Sequence, residues 1–218
     1  YDGVTSLEIG VDKSSVIDKP QVDSPRRGCP IVMYGTSILQ GGCVSRPGMV
    51  HTSLIERALD MEVINLGFSG NALLDLDIAQ LMASVETPAV YVLDNAPNCR
   101  ADRINAHSVE FFRVLRDAHP DVPVVIVEHP LYPTMRLDIG EREDIIARNN
   151  AQKAFYETLR KSGEKRVYYV SAEKLLDEMK EGTVDGDHFT DLGVTYYVKA
   201  VLPTIKKALK ASPNKVGK

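Results

Sequence analysis

The chain has no tryptophan and only three cysteines, Cys29, Cys43 and Cys99, among 218 residues. Three scattered thiols are too few for a disulfide scaffold or for a zinc site of paired ligands, and an odd number leaves at least one free thiol in a monomer. The absence of tryptophan removes the ring with the largest stacking face and argues against a long glycan-binding cleft. Basic residues are not in excess: 26 Lys and Arg stand against 30 Asp and Glu, for a formal charge of −4 and a pI near 5.8. Such a balance offers no field for a phosphate backbone, so nucleic acid is excluded as the expected partner. No apolar run reaches the length of a membrane span, and the first residues lack the charged, apolar and small-residue order of an export signal. With 44% hydrophobic and 26% charged residues, the composition is that of one globular domain with a single sizeable core.

What is present is organised around residues 31 to 37, Ile-Val-Met-Tyr-Gly-Thr-Ser. The run predicts a buried strand that stops at Gly35 and presents Ser37 at its carboxyl end, where open parallel sheets bind ligands. Ahead of it, the alternation of residues 6 to 11 puts Leu7, Ile9 and Val11 on one strand face, and a polar, proline-bearing stretch to about Arg27 reads as a linker. Behind it, a loop over residues 38 to 49 leads to a helix over 51 to 59. Further strands are expected at 63 to 66, 89 to 93, 122 to 127 and 167 to 170. Helices are expected at 73 to 83, 104 to 119, 141 to 161, 172 to 179 and 191 to 209, the last interrupted at Pro203; residues 129 to 140 read as a loop. Apolar strands alternating with amphipathic helices predict a three-layer α/β/α sandwich with a parallel sheet of about five strands in flavodoxin-like order. The expected organisation is an extension over 1–27, one domain over 28–210 and a tail over 211–218.

A serine hydroxyl needs a base, a group to orient that base, and donors for an oxyanion. Of five histidines, only His188 has an aspartate three residues before it, in Asp185-Gly186-Asp187-His188, ahead of the closing helix. Such a turn folds Asp185 back onto the ring and fixes its tautomer. Residues 65 to 71, Asn-Leu-Gly-Phe-Ser-Gly-Asn, follow the second strand, with glycines that let an amide point into a crevice. Residues 94 to 99, Asp-Asn-Ala-Pro-Asn-Cys, follow the third and supply a side-chain amide. Four strand-end loops thus carry a hydroxyl, a backbone donor, an amide donor and an Asp–His pair to one sheet edge.

In order and spacing these blocks resemble the SGNH hydrolase superfamily, the GDSL-type esterases and lipases, over roughly Pro30 to Leu209. The resemblance implies a serine-dependent ester hydrolase with no metal or cofactor, in which Ser37, Asp185 and His188 are the catalytic residues. It implies an oxyanion hole of the Ser37 and Gly70 amides and the Asn98 side chain, with Asn95 as the alternative because the third block is Ala-Pro-Asn-Cys rather than Gly-x-Asn-Asp. Thr36 stands where the family pattern has Asp, a change expected to alter loop hydrogen bonding and not the nucleophile. Residues 34 to 47, YGTSILQGGCVSRP, with residues 65 to 70 are similar to a bacterial group carrying a small β-sandwich before the hydrolase domain. That implies a sandwich remnant in residues 1 to 11, an exported protein, and carbohydrate O-acetylesterase activity on a small-molecule or saccharide ester.

Other readings stay open. The loop over residues 131 to 137 has apolar residues enough to line an acyl slot, which suits a lipase or thioesterase. A non-catalytic flavodoxin-like domain would use residues 35 to 42 to bind an anion, though no Gly-Lys-Ser/Thr or Gly-x-Gly-x-x-Gly sequence supports a nucleotide. A structural domain would use the edge of residues 1 to 11 to form a homodimer. Arg46 and Arg100, in the loops after Ser37 and Asn98, are the candidate contacts for an anionic substrate group. Cys43 and Cys99 share those loops, and a disulfide between them is an expectation.

Overall fold

The computed structural model describes residues 5–19, 21, 28–176 and 181–214. Five short, β-branched or aromatic runs form the strands β1 (Ile31–Thr36), β2 (Val63–Phe68), β3 (Val90–Asp94), β4 (Val124–Val127) and β5 (Val167–Val170). They pair in parallel in the order β2-β1-β3-β4-β5, the flavodoxin-like order expected. Every residue of β1 and β3 is buried, as central strands covered on both faces must be.

Among the described residues six α-helices follow the strands: α1 (Ser37–Gln40), α2 (His51–Leu59), α3 (Leu76–Ala83), α4 (Ala101–Ala118), α5 (Ile139–Lys161) and α6 (Asp191–Ala211). The two-residue period of the strands divides the core into two layers. Ile31, Met33, Val90 and Val92 pack with Ile55 of α2 and Val194, Tyr197, Val201 and Ile205 of α6. On the other face, Val32, Tyr34, Tyr91 and Leu93 pack with Met82 of α3, Phe111 and Leu115 of α4, and Phe155 of α5. Each such buried side chain contributes about 1.5–3 kcal/mol relative to exposure, so both layers are needed to hold the sheet flat against its helices.

Several boundaries differ from the sequence expectation. Strand β4 starts at Val124 because Pro123 has no N–H to donate; its carbonyl still accepts from Tyr91 N at 2.9 Å. Helix α6 runs through Pro203 without a break, since the fully buried Val201 and Ile205 anchor it on either side. Residues 172 to 174 form a 3₁₀ turn in place of the start of a helix, and residues 177 to 180 of that expected helix lie outside the described residues. Residues 5 to 12 pair with no strand, and Leu7, Ile9 and Val11 are exposed: alternation alone cannot make a strand without an edge to pair with. Among the described residues no helix is long and apolar enough to cross a membrane.

The order of strands reverses between β1 and β3, which leaves a crevice beyond their carboxyl ends, bordered by the loop after β2. Gly67 closes that border. A Cβ there would overlap the backbone of Gln40 and Leu39 at the end of α1, so only glycine lets β2 approach the short helix that begins at Ser37. Replacing Gly67 by alanine is expected to cost about 1–3 kcal/mol, in the range of an overpacked core. A lowered urea midpoint checks this; an unchanged midpoint would mean that β2 and α1 are not in that contact.

Candidate active site

Ser37 is the first residue of α1, directly after β1. The Thr36 hydroxyl accepts from Ile38 N at 3.3 Å and caps the helix, a task the hydroxyl performs as an aspartate would. After one turn the chain reverses at Gly41, in the left-handed region at φ 101°, and Gly41 N and Gly42 N donate to the Ser37 carbonyl at 3.0 and 2.8 Å. From below, the Asn65 side chain donates to Leu39 O and to Thr52 Oγ1 at 2.9 and 3.1 Å, and accepts from Gly67 N. The serine is therefore held through its carbonyl and the short helix it opens, independent of its own side chain.

The histidine reaches it from the other end of the chain. Residues 184 to 188 form a tight turn closed by Val184 N donating to His188 O at 2.8 Å and by a bridge between Thr183 and Phe189. Within the turn, Asp185 Oδ1 accepts from the Asp187 and His188 amides at 3.0 and 2.7 Å, which aims Oδ2 at His188 Nδ1, 2.8 Å away. His188 Nε2 then lies 2.9 Å from Ser37 Oγ. Asp185 is subject to opposing influences: its limited burial raises the pKa, but hydrogen bonds from the His188 ring and from the two amides outweigh it and hold it down at about 2. The carboxylate therefore stays charged beside the imidazole at neutral pH. Such a series can take the serine proton onto the ring and stabilise the imidazolium that results.

Two neighbours brace the turn. Tyr132, in the loop after β4, is buried and donates its hydroxyl to Asp187 Oδ1 at 2.6 Å; burial and the Asp187 charge raise its pKa, so it stays a donor. That loop is fixed in turn by Asn149 of α5, which accepts from His129 N at 2.7 Å and donates to His129 O at 3.0 Å. Sequence reading missed both residues, whose only signal was a tyrosine between two prolines.

The remaining predicted residues fall in two groups. Asn98 is half-buried, and its side-chain amide donates to Asn71 O at 2.9 Å, next to Gly70, which takes a left-handed φ of 67°. The second and third loops are thus joined at their tips. Asn95 is buried below them, with Gln152 Nε2 at 3.5 Å from its Oδ1. Arg148 of α5 donates to Ala96 O at 3.3 Å and to Pro97 O, so the segment carrying Asn98 is tied from beneath. Arg46 and Arg100 are both exposed and already have acidic neighbours, Asp191 at 3.8 Å and Asp102 at 3.9 Å. The expected disulfide is absent: Cys43 and Cys99 are free thiols. Cys99 is buried in the layer of Tyr34 and Phe111, where burial raises its pKa to about 11, whereas Cys43 is exposed on the turn beside His188.

A parallel α/β sandwich that carries serine, histidine and aspartate in hydrogen-bonded series at its carboxyl edge defines a class of proteins equipped for nucleophilic acyl chemistry. The chain belongs to the GDSL-like lipase/acylhydrolase family, whose model matches residues 28–206. Among solved structures it resembles a protein from Bacteroides ovatus assigned as a GDSL-like lipase, at 35% identity and a TM-score of 0.82 over 88% of this chain and 56% of that one. The salicylyl-acyltransferase SsfX3 of a tetracycline biosynthetic pathway shares the fold at 18% identity and a TM-score of 0.73, over 87% of this chain and 56% of that one. So does a family two carbohydrate esterase from Clostridium thermocellum, at 14% identity and a TM-score of 0.65, over 84% of this chain and 64% of that one. The chain thus spans under two thirds of the length of each. A comparison with curated proteins finds no match.

Directly beneath the site, at the end of β3, Asp94 is fully buried and accepts from Tyr197 Oη at 2.7 Å. Burial pushes its carboxyl up to about 7, against the opposing hydrogen bond. The folded protein holds this proton more tightly than the unfolded chain does. The group therefore favours the fold below the ordinary carboxylate range, and that advantage is lost as pH rises towards about 7. Asp94→Asn keeps the acceptor and removes the titration. The melting temperature of the native protein relative to this variant is expected to be higher at pH 5 than at pH 8; an equal difference at both would rule out a raised carboxyl.

Proposed function

We propose that the protein is a serine esterase that removes a small acyl group, in the first instance acetyl, from a saccharide or other small-molecule alcohol. The observation that carries this reading is the series Ser37 Oγ, His188 Nε2, His188 Nδ1 and Asp185 Oδ2, at 2.9 and 2.8 Å. Ser37 attacks the ester carbonyl as His188 takes its proton, and Asp185 steadies the imidazolium. His188 returns the proton to the departing alcohol, and a water activated by the same ring releases the acid from the acyl-enzyme. The Ser37 and Gly70 amides and the Asn98 side chain hold the oxyanion; Asn98 is preferred to Asn95 because it is only half-buried where Asn95 is fully buried, and an amide has a second N–H beyond the one given to Asn71. Arg148 acts through that loop as a positioning residue.

The choice of a small acyl group on a polar alcohol rests on the surroundings of the serine. Asn71, Asn98, Asp187, Ser45, Arg46 and Asp191 are exposed or partly exposed polar groups at the rim, suited to hydroxyls, and a long acyl chain needs an enclosed apolar slot. Export of the protein, and Arg46 and Arg100 as contacts for the alcohol part, belong to the same reading. A second reading has its own observation: Leu131, Leu137, Ile139 and Val184 are exposed on or near the loops that flank the histidine turn, and such residues suit a longer acyl chain.

Hydrolysis of p-nitrophenyl esters from acetyl to decanoyl separates the two. Turnover of the acetyl ester alone, abolished in Ser37→Ala and reduced about 10²–10³-fold in kcat by Asn98→Ala, is the expected result. Turnover that rises with chain length would transfer the reading to a lipase, and turnover that survives in Ser37→Ala would overturn the serine mechanism.

A further inference from the structure

The thiol that sequence reading assigned to a disulfide stands instead beside the histidine. One sulfur of Cys43, one carboxylate oxygen of Asp185 and one ring nitrogen of His188 lie within 4.8 Å of one another. This is not a chance meeting of mobile side chains, because both backbone segments are fixed. Gly42 N is bonded to the Ser37 carbonyl on one side of Cys43; on the other side Ser45 N and Oγ donate to Asp191 Oδ1 and Oδ2 at 2.9 and 2.6 Å, which ties this loop to the residue that opens α6, three positions after His188. The histidine ring lies against Gly42, whose Cβ position is 3.0 Å from His188 Cδ2. Cys43 itself holds a left-handed φ of 69°, so its side chain projects from a turn that most residues adopt only at a cost.

We propose that Cys43, Asp185 and His188 form a site for a borderline-soft divalent cation of the zinc class, and that its occupation switches the enzyme off. Sulfur, imidazole nitrogen and carboxylate oxygen are the donor set such a cation prefers, with solvent completing a tetrahedron. Donors about 2.0–2.3 Å from a tetrahedral zinc lie within the span this cluster already covers, so binding needs only small side-chain adjustments, in which the Asp185 oxygen and the ring nitrogen give up their 2.8 Å hydrogen bond to the metal. The balance is simple: the thiol releases its proton to solvent, the ring binds through an unprotonated nitrogen, and no bond to carbon changes. Inhibition follows whichever ring nitrogen is used. Nδ1 is committed to Asp185 and Nε2 to Ser37, so a metal on either one displaces a member of the series that activates the serine.

The binding claim stands on the donor cluster alone, and the inhibition claim rests in addition on the esterase reading, so the test has two readouts. Cobalt(II) titrated into the native protein is expected to give a thiolate-to-metal charge-transfer absorption that Cys43→Ser lacks. Zinc is expected to inhibit ester turnover reversibly, with recovery on adding a chelator. Cys43→Ser should keep its turnover and need at least about tenfold more zinc for half-inhibition, in the range that loss of one supporting group produces at metal sites. Absence of the charge-transfer band, or equal zinc sensitivity of the native protein and Cys43→Ser, would overturn the site. A cobalt band without ester turnover would support the site and count against the esterase reading alone.

Discussion

The 2.9 Å contact between Ser37 Oγ and His188 Nε2 joins residues 151 positions apart, and no local interaction can create it. It exists because a parallel sheet brings every strand's carboxyl end to the same edge, and because both contacting residues are fixed by backbone: Ser37 by the short helix clasped against β2, His188 by a turn wrapped around one carboxylate. The packing of both core layers serves to keep those two supports in register. In the proposed reaction a displacement of about 1 Å at either would be felt in the rate, since attack depends on near-ideal approach.

The same constraint explains where buried polar groups are tolerated. Asp94 and His51 sit under the site in the α2/α6 layer, His51 edge-on to Tyr197 with ring centroids 4.4 Å apart. Burial pushes Asp94 up to about 7 and His51 down to about 3, so each is biased towards its neutral form. Above, the Tyr132 and Arg148 contacts show α5 and the loop after β4 holding the rim from outside the sheet.

The fold was largely legible because its information is periodic. The apolar runs of β1 and β3 and the amphipathic spacing of α2 and α4 declare burial on known faces, and strand alternation with helices implies the parallel order. The Asp185–His188 pair was legible because a three-residue spacing in a glycine-containing turn is a local geometric statement. What could not be read is whatever depends on contacts between distant loops. The free thiols of Cys43 and Cys99 shared loops by sequence but were divided by burial, one into the Tyr34 layer and one beside the imidazole. Asn65 and Arg148 bond to the backbone of segments distant in sequence, and Tyr132 bonds to the Asp187 carboxylate; no pattern in the chain marks such bonds. The extension failed as a strand for the complementary reason: Leu7, Ile9 and Val11 have the period but no partner edge among the described residues.

The central claim is that His188 makes Ser37 a nucleophile. Its most direct measurement is the intact mass of the protein after exposure to a fluorophosphonate, followed by peptide mapping of the adduct. The account predicts a single adduct on Ser37, formed rapidly in the native protein and lost or greatly slowed in His188→Ala. An unlabelled protein, or an adduct on another residue formed equally fast without the histidine, would contradict it.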